Sequence, residues 1–463
     1  EPGYRRPIGP LDTHGTHVMD LAGGRPIDTV ETAARPLVAV EVPPLATLDT
    51  SGGHLASYVL QAVHRILHWA DTWPDPRGNG AVRVSVVINF SYGISAGPKN
   101  GQGFLEREIA RLVDARNAEG LTTKVVVPAG NNYRDQLTGG VTVPFGETAA
   151  FDWCVIPADQ SVSFLELRAP QGSPFTLTLT PPDGASVTVA VPAAGGASVH
   201  EWTKDGTTLG AIYVQPAPAT SGMVLVTVAL GPTIAFDGRA RTPAGAYRIA
   251  VANTAPGPDE IALTLWVDVQ RDDTPSGYPI YGRQSYLDDQ GVAAVDPVLK
   301  SWDAPGPASA VQRAGTMSAF ATSASDHIFA VGGAYPDDNS YDNDDPDLRE
   351  PTWYTSAGPT RDPGARDPAL AAISEEGRGL YGVLAAGTYS GSVSAVSGTS
   401  AAAPQVTRGI VDILTANPAA SRADILQGLL GQGMFPAPDP RLGAGVLPDP
   451  PKAEQRPLRR RYP

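Results

Sequence analysis

Three stretches of this 463-residue chain carry side chains suited to chemistry. The first is Ser397-Gly398-Thr399-Ser400-Ala401-Ala402-Ala403-Pro404-Gln405-Val406. A serine hydroxyl is a weak nucleophile until a neighbouring base takes its proton. Gly398 permits a tight turn into a helix, which sets Ser400 at a helix N-terminus. Unpaired N–H groups point outward there and favour a developing oxyanion. Small residues at 401 to 403 allow a buried helix start. Pro404 reads as part of the first turn, where a missing N–H costs little. The plainer alternative is that Ser400 only caps the helix. The pattern is not the Gly-x-Ser-x-Gly elbow, because Ala402 stands where the second glycine would be.

The second stretch, Asp12-Thr13-His14-Gly15-Thr16-His17-Val18, offers two imidazoles. A His-x-x-His pair can ligate zinc, but no Glu follows here as in His-Glu-x-x-His. The third, Val126-Val127-Pro128-Ala129-Gly130-Asn131-Asn132, ends in amides, and asparagines after a glycine are common turn residues. His64 and His68 share a helix face without a nearby carboxylate and read as partly buried helix residues. Cys154 sits in the apolar stretch Phe151 to Ile156, a poor setting for a reactive thiol.

The elements that must position these groups fall into two patterns. Leu37 to Val42 reads as a buried strand. Leu55, Val59, Val63, Ile66 and Leu67 mark one helix face, with Ser51 as a nearby cap. Val84 to Phe90 is an apolar, β-branched run. A second amphipathic helix follows at Phe104, Leu105, Ile109, Leu112 and Val113, then a strand at Leu121 to Val127. Such alternation implies parallel strands with helices on the faces. From about residue 151 a period of two takes over, as in Leu263, Leu265, Val267 and Val269 with Thr264, Trp266 and Asp268 between. That pattern predicts an antiparallel β-sandwich over 151–271. A strand at His327 to Val331 and helices at Ser400 to Leu414 and Ser421 to Leu430 resume the α/β pattern. The predicted organisation is one α/β domain, 1–150 and 272–447, interrupted by the β domain and followed by a tail, 448–463.

The motifs resemble those of the subtilase family of serine proteases. Gly398 to Pro404 is similar to its serine motif, His14-Gly15-Thr16-His17-Val18 to its histidine motif and Ala129-Gly130-Asn131 to its oxyanion motif. Thr355-Ser356-Ala357-Gly358-Pro359 resembles a segment preceding the serine, and all four stand in the family's order. The resemblance covers about 1–150 and 272–447 and implies a subtilisin-like α/β fold. By position it implies Ser400 as nucleophile, His14 as general base, His17 packed behind it, and Asn131 with the Ser400 N–H in the oxyanion hole. Ser91-Tyr92-Gly93 resembles the substrate-binding edge, where an extended polypeptide adds as a strand.

One expected part has no match. The family orients its histidine with an upstream Asp, and thirteen residues precede His14. Asp12 resembles a flanking position of the histidine motif, while Asp20 and Asp49 match no motif. The expectation is a chain whose Asp and first strand precede Glu1; the alternative is a weakened or inactive relative that only binds. A second rival, an esterase of another serine-hydrolase fold, fits the strand–helix order around Ser400 poorly.

Composition limits the partners. A net charge of −14 speaks against a nucleic-acid binder, and no apolar run is long enough to span a membrane. One cysteine excludes an internal disulfide. The Asp337 to Asp345 loop is dense in hard oxygen ligands but lacks the EF-hand spacing, so a solvated loop is preferred to a structural calcium site. No cofactor is required, and the short basic run Arg456 to Arg461 reads as a solvated tail. The family resemblance implies a secreted or extracytoplasmic enzyme acting on polypeptide.

Overall fold

The computed structural model describes residues 13–24, 35–43, 46, 55–75, 77–193, 196–216, 222–234, 238, 240–255, 261–271, 282–289, 295–296, 301–302, 309–321, 325–336, 350–361, 368–377, 381–389 and 391–448. The chain opens with α1 (His14–Gly23), α2 (Leu55–Asp71), β1 (Val86–Asn89), α3 (Phe104–Ala118) and β2 (Thr123–Pro128). Antiparallel strands follow: β3 (Thr138–Val143), β4 (Thr148–Val155), β5 (Ser163–Pro170), β6 (Phe175–Thr180) and β7 (Val187–Val191). They continue as β8 (Ser198–Lys204), β9 (Thr207–Gln215), β10 (Met223–Leu230), β11 (Gly245–Asn253), β12 (Leu263–Val269) and β13 (Tyr286–Asp288). The last part holds β14 (Ile328–Ala334), β15 (Leu370–Ile373), the hairpin β16 (Val383–Ala386) and β17 (Val393–Val396), α4 (Thr399–Ala416) and α5 (Arg422–Leu430).

The strands β15-β14-β2-β1 form a parallel sheet in that order. Every residue of β2 and β14 is buried, as expected where helices cover both faces and the strand reads as one apolar run. Val125 and Val127 face a core shared with Leu55, Val59 and Val63 of α2 and Ile109 and Val113 of α3. Val126, one residue out of phase, faces Ala402, Val406 and Ile410 of α4 and Ile425 of α5. The helices start where local chemistry says they should. The Ser421 hydroxyl and the Asp424 carboxyl form a reciprocal box at α5, and Glu106 takes the Gly103 N–H at 2.8 Å ahead of α3.

Leu37 to Val42 does not form the expected strand. Residues 36–43 have no strand partner among the described residues, and Leu37 is 54 % exposed. The run is not buried as a whole: Val38, Val40 and Val42 are half-buried, with Leu37, Ala39 and Glu41 outward. A strand also needs a neighbour's open edge, which a single segment's pattern does not contain. His64 and His68 are exposed, not partly buried; they fall on the side of α2 opposite Val59, Val63 and Leu67.

The period-two region builds two antiparallel sheets, β8-β9-β10-β5-β12-β3 and β13-β4-β11-β6-β7. Their inner faces share one apolar core that includes Leu165, Leu167, Leu177, Ile249, Leu265 and Val267. The sheets draw strands from Thr138 to Asp288, a wider span than 151–271, because β3 pairs with β12 and β13 with β4. Leu167 is fully buried in that core. Leu167→Ala is expected to lower stability by about 2–5 kcal/mol through lost contacts and a residual cavity. A reduced urea midpoint at unchanged slope is the measurement.

Candidate active site

Ser400 is the second residue of α4, and Gly398 is the N-cap, so Ser400 does not cap the helix. Gly398 holds φ 121°, which a side chain would resist. The Ser400 N–H lies in the first turn, where no intrahelical carbonyl is available. Pro404 is the sixth helical residue and so lies beyond the first turn, contrary to the sequence reading. It lacks the N–H that would otherwise reach the Ser400 carbonyl. The Ser91 hydroxyl donates to that carbonyl instead, at 3.1 Å. Behind it, Asn89 Nδ2 donates to Ser91 Oγ at 3.0 Å, and Thr407 Oγ1 donates to Asn89 Oδ1 at 3.1 Å. The vacancy left by one proline thus brings the Ser91-Tyr92-Gly93 segment to Ser400.

Asn131 follows β2 through Gly130, whose φ is 116°. Its Oδ1 accepts the Thr399 N–H at 2.9 Å and the Thr399 hydroxyl at 2.8 Å. A backbone N–H can only donate, so these bonds fix which end of the amide is oxygen. The Gly130 N–H donates to Thr399 Oγ1 at 3.2 Å, closing a small ring. Asn131 Nδ2 then lies beside the helix start, 3.0 Å from where a Cβ on Gly398 would stand. Any side chain at 398 would crowd that amide. Ser356 braces the same loop: its N–H donates to the Gly130 carbonyl at 3.0 Å and its hydroxyl accepts the Asn132 N–H at 3.1 Å.

His14 is the first residue of α1, which packs against α4 and the β16–β17 hairpin. Arg408, midway along α4, donates to the carbonyls of Asp20 at 2.7 Å and Gly24 at 2.6 Å, tying the C-terminal end of α1 to the middle of α4. Thr13 meets Ser394, just ahead of α4, with hydroxyls 3.2 Å apart. These contacts hold α1, with His14 as its first residue, against α4, with Ser400 as its second. His17 is fully buried, and its Nε2–H donates to the Val383 carbonyl at 2.7 Å. Asp20 spends its carboxylate on the Ala386 N–H at 2.9 Å, more than a turn along from His14. No carboxylate among the described residues hydrogen-bonds His14. Asp12 and Asp49 lie outside the described residues.

His14 keeps an open face to solvent. Packing dries the rest of its imidazole, and that desolvation, with His17 nearby, holds its pKa below the ordinary 6.5. Neutral His14 is the form able to accept a proton. With His14 in the general-base role the resemblance implies, the rising limb of kcat/KM is expected at a pH below 6.5, which a pH–rate profile of peptide hydrolysis checks.

Sequence reasoning missed a buried polar group behind Ser400. The Gly398 N–H donates to the Tyr354 hydroxyl at 2.9 Å, and Tyr354 donates to Ser374 Oγ at 2.8 Å. Glu375 accepts from Ser397 Oγ at 3.2 Å and from the Gly382 N–H. The one available signal was Tyr354, adjacent to the Thr355 to Pro359 motif. No cluster of three or more metal-ligating side chains occurs among the described residues. The acidic 337–345 loop and the basic tail lie outside them.

The fold is a helix-flanked parallel sheet in which an asparagine amide is pinned to the start of a serine-bearing helix and a histidine-bearing helix packs against that helix, the class of architecture found in serine peptidases of the family its motifs resemble. The chain belongs to the subtilase family, which it matches over residues 1–445. Among solved structures it is similar to the CspB protease of Clostridium perfringens, with a TM-score of 0.63 at 18 % identity, covering 95 % of this chain and 80 % of that one. CsCBM6-3 from Clostridium stercorarium, in complex with cellobiose, aligns at a TM-score of 0.14 and 13 % identity, covering 31 % of this chain and 74 % of that one. No curated protein matches. No helix of the described chain is long and apolar enough to cross a membrane.

Proposed function

We propose that this subtilase hydrolyses peptide bonds in polypeptides through an acyl-enzyme on Ser400. The observation that carries the reading is the Asn131 amide, whose oxygen is held by Thr399 while its Nδ2 is left beside the start of the helix that bears Ser400. Ser400 Oγ attacks the scissile carbonyl, and His14 takes its proton and returns it to the leaving amine. Asn131 Nδ2 and the Ser400 N–H stabilise the oxyanion. The Ser91-Tyr92-Gly93 segment receives an extended chain by main-chain hydrogen bonds. No cofactor takes part, and the enzyme works outside the cytoplasm. The antiparallel sheets form a β-sandwich inserted into the subtilisin-like unit between β2 and β14.

A non-catalytic binder on the same scaffold is the second reading, favoured by the lack of a carboxylate on His14 among the described residues. Loss of that member alone typically lowers turnover by about 10⁴-fold without abolishing it. Labelling with a fluorophosphonate probe separates the two. A probe mass on the peptide containing Ser400 supports the peptidase; a folded chain that stays unlabelled leaves only the binder.

A further inference from the structure

The outer face of the six-stranded sheet carries two carboxylates side by side. Asp268 on β12 and Glu166 on β5 are direct cross-strand partners. Like charges placed so repel. On β12 the even positions point away from the apolar core, yet Asp268 is completely buried. What covers it comes from the α/β part of the chain. Lys99 Nζ lies 3.0 Å from one Asp268 oxygen and Arg361 Nη1 2.7 Å from the other. Lys99 also donates to the Gly315 carbonyl at 3.0 Å and to Thr138 Oγ1 on β3 at 3.3 Å. Glu166 is met by Arg168 at 2.5 Å.

Lys99 lies six residues past Gly93, in the irregular segment between β1 and α3. Arg361 grips that segment further: its Nη1 donates to the Gly97 carbonyl at 3.1 Å and its N–H to the Lys99 carbonyl at 2.7 Å. Lys99 itself holds φ 50°, a left-handed conformation that persists in a non-glycine only where its surroundings over-determine it. A buried ionic cluster adds little net stability over an apolar one, but an arrangement that removes one partner leaves an uncompensated buried charge and is strongly disfavoured. The segment carrying Ser91-Tyr92-Gly93 is thus fixed at one end by Ser91 on the Ser400 carbonyl and at the other by Asp268.

We propose that Asp268 is a positioning residue for peptide binding: through Lys99 and Arg361, the antiparallel sheets set the place of the edge that receives the substrate backbone. The inserted sheets are then part of the binding machinery. This rests on the peptidase reading above, whose own failure shows separately as an unlabelled parent protein.

Two variants test it in the full chain. Asp268→Asn weakens both pairs, and Lys99→Met removes the tether while leaving Asp268 paired with Arg361. Amide exchange over residues 94–100 is expected to speed up by about tenfold in both, with β2 and α4 unchanged. KM for an extended peptide is expected to rise about tenfold, while kcat changes by less than about threefold. Unchanged exchange over 94–100 in Lys99→Met overturns the proposal. So does a fall in kcat with KM unchanged, which marks loss of active enzyme rather than of peptide binding. Where Asp268→Asn fails to fold, Lys99→Met alone reads the tether, and its exchange measurement needs no turnover.

Discussion

Ser400→Ala is expected to lower peptide turnover by about 10⁶-fold and to abolish fluorophosphonate labelling, with the fold intact. The hydroxyl projects from the second residue of α4, and a methyl there keeps the helix and its small-residue start. Its carbonyl, which receives Ser91, is untouched by the change. His14→Ala should cost about as much, because a hydroxyl without its base is as inert as a base without its hydroxyl. The two act as a unit, so the double variant should be no slower than either single variant beyond about threefold. Additive losses would mean that Ser400 and His14 do not share one proton. Single-turnover kinetics on a chromogenic peptide give the numbers, and a matching circular dichroism spectrum shows that the fold survived.

Asn131 carries the second large effect. Asn131→Ala is expected to reduce kcat by about 10²–10³-fold with KM nearly unchanged, because the oxyanion exists only in the transition state. That variant also strips Thr399 of its acceptor, which confounds the loss of a donor with a loosened helix start. Asn131→Asp resolves this. It keeps an oxygen for Thr399 but replaces Nδ2 with a second acceptor carrying charge, next to where negative charge develops. A loss at least as large as in Asn131→Ala is the expected result, seen in the acylation rate. Near-parent activity in Asn131→Asp would remove the amide from the mechanism.

The sequence carried more of this than the site's dispersal suggests. The strands β2 and β14 announced themselves as short apolar runs because helices cover both faces, and β12 alternated because only one face meets the apolar core. The helix faces of α2 and α3 followed from the 3.6-residue period. The apolar-run signal misled at Leu37 to Val42, where no neighbouring edge is paired with the segment among the described residues. The helix period also misplaced His64 and His68, whose spacing says that they share a face and not which face is buried. Pro404 was read as harmless by its place near the helix start. Its consequence is the bond from the Ser91 hydroxyl to the Ser400 carbonyl, a pair 309 residues apart in sequence.

What the residues determined alone were the properties set within a few positions: the period of each element, the glycine conformations at 130 and 398, and the types of side chain available for chemistry. Only the tertiary structure decided how those side chains are aimed. Asn131 presents its nitrogen because Thr399, 268 residues on, holds its oxygen. Asp268 is buried because a segment from the other part of the chain lays a lysine over it, though its own strand pattern turns it outward. The division has a physical cause: backbone sterics and periodicity act between neighbours, whereas the direction of an amide or the burial of a carboxylate depends on which distant donors the packed chain places within hydrogen-bond reach.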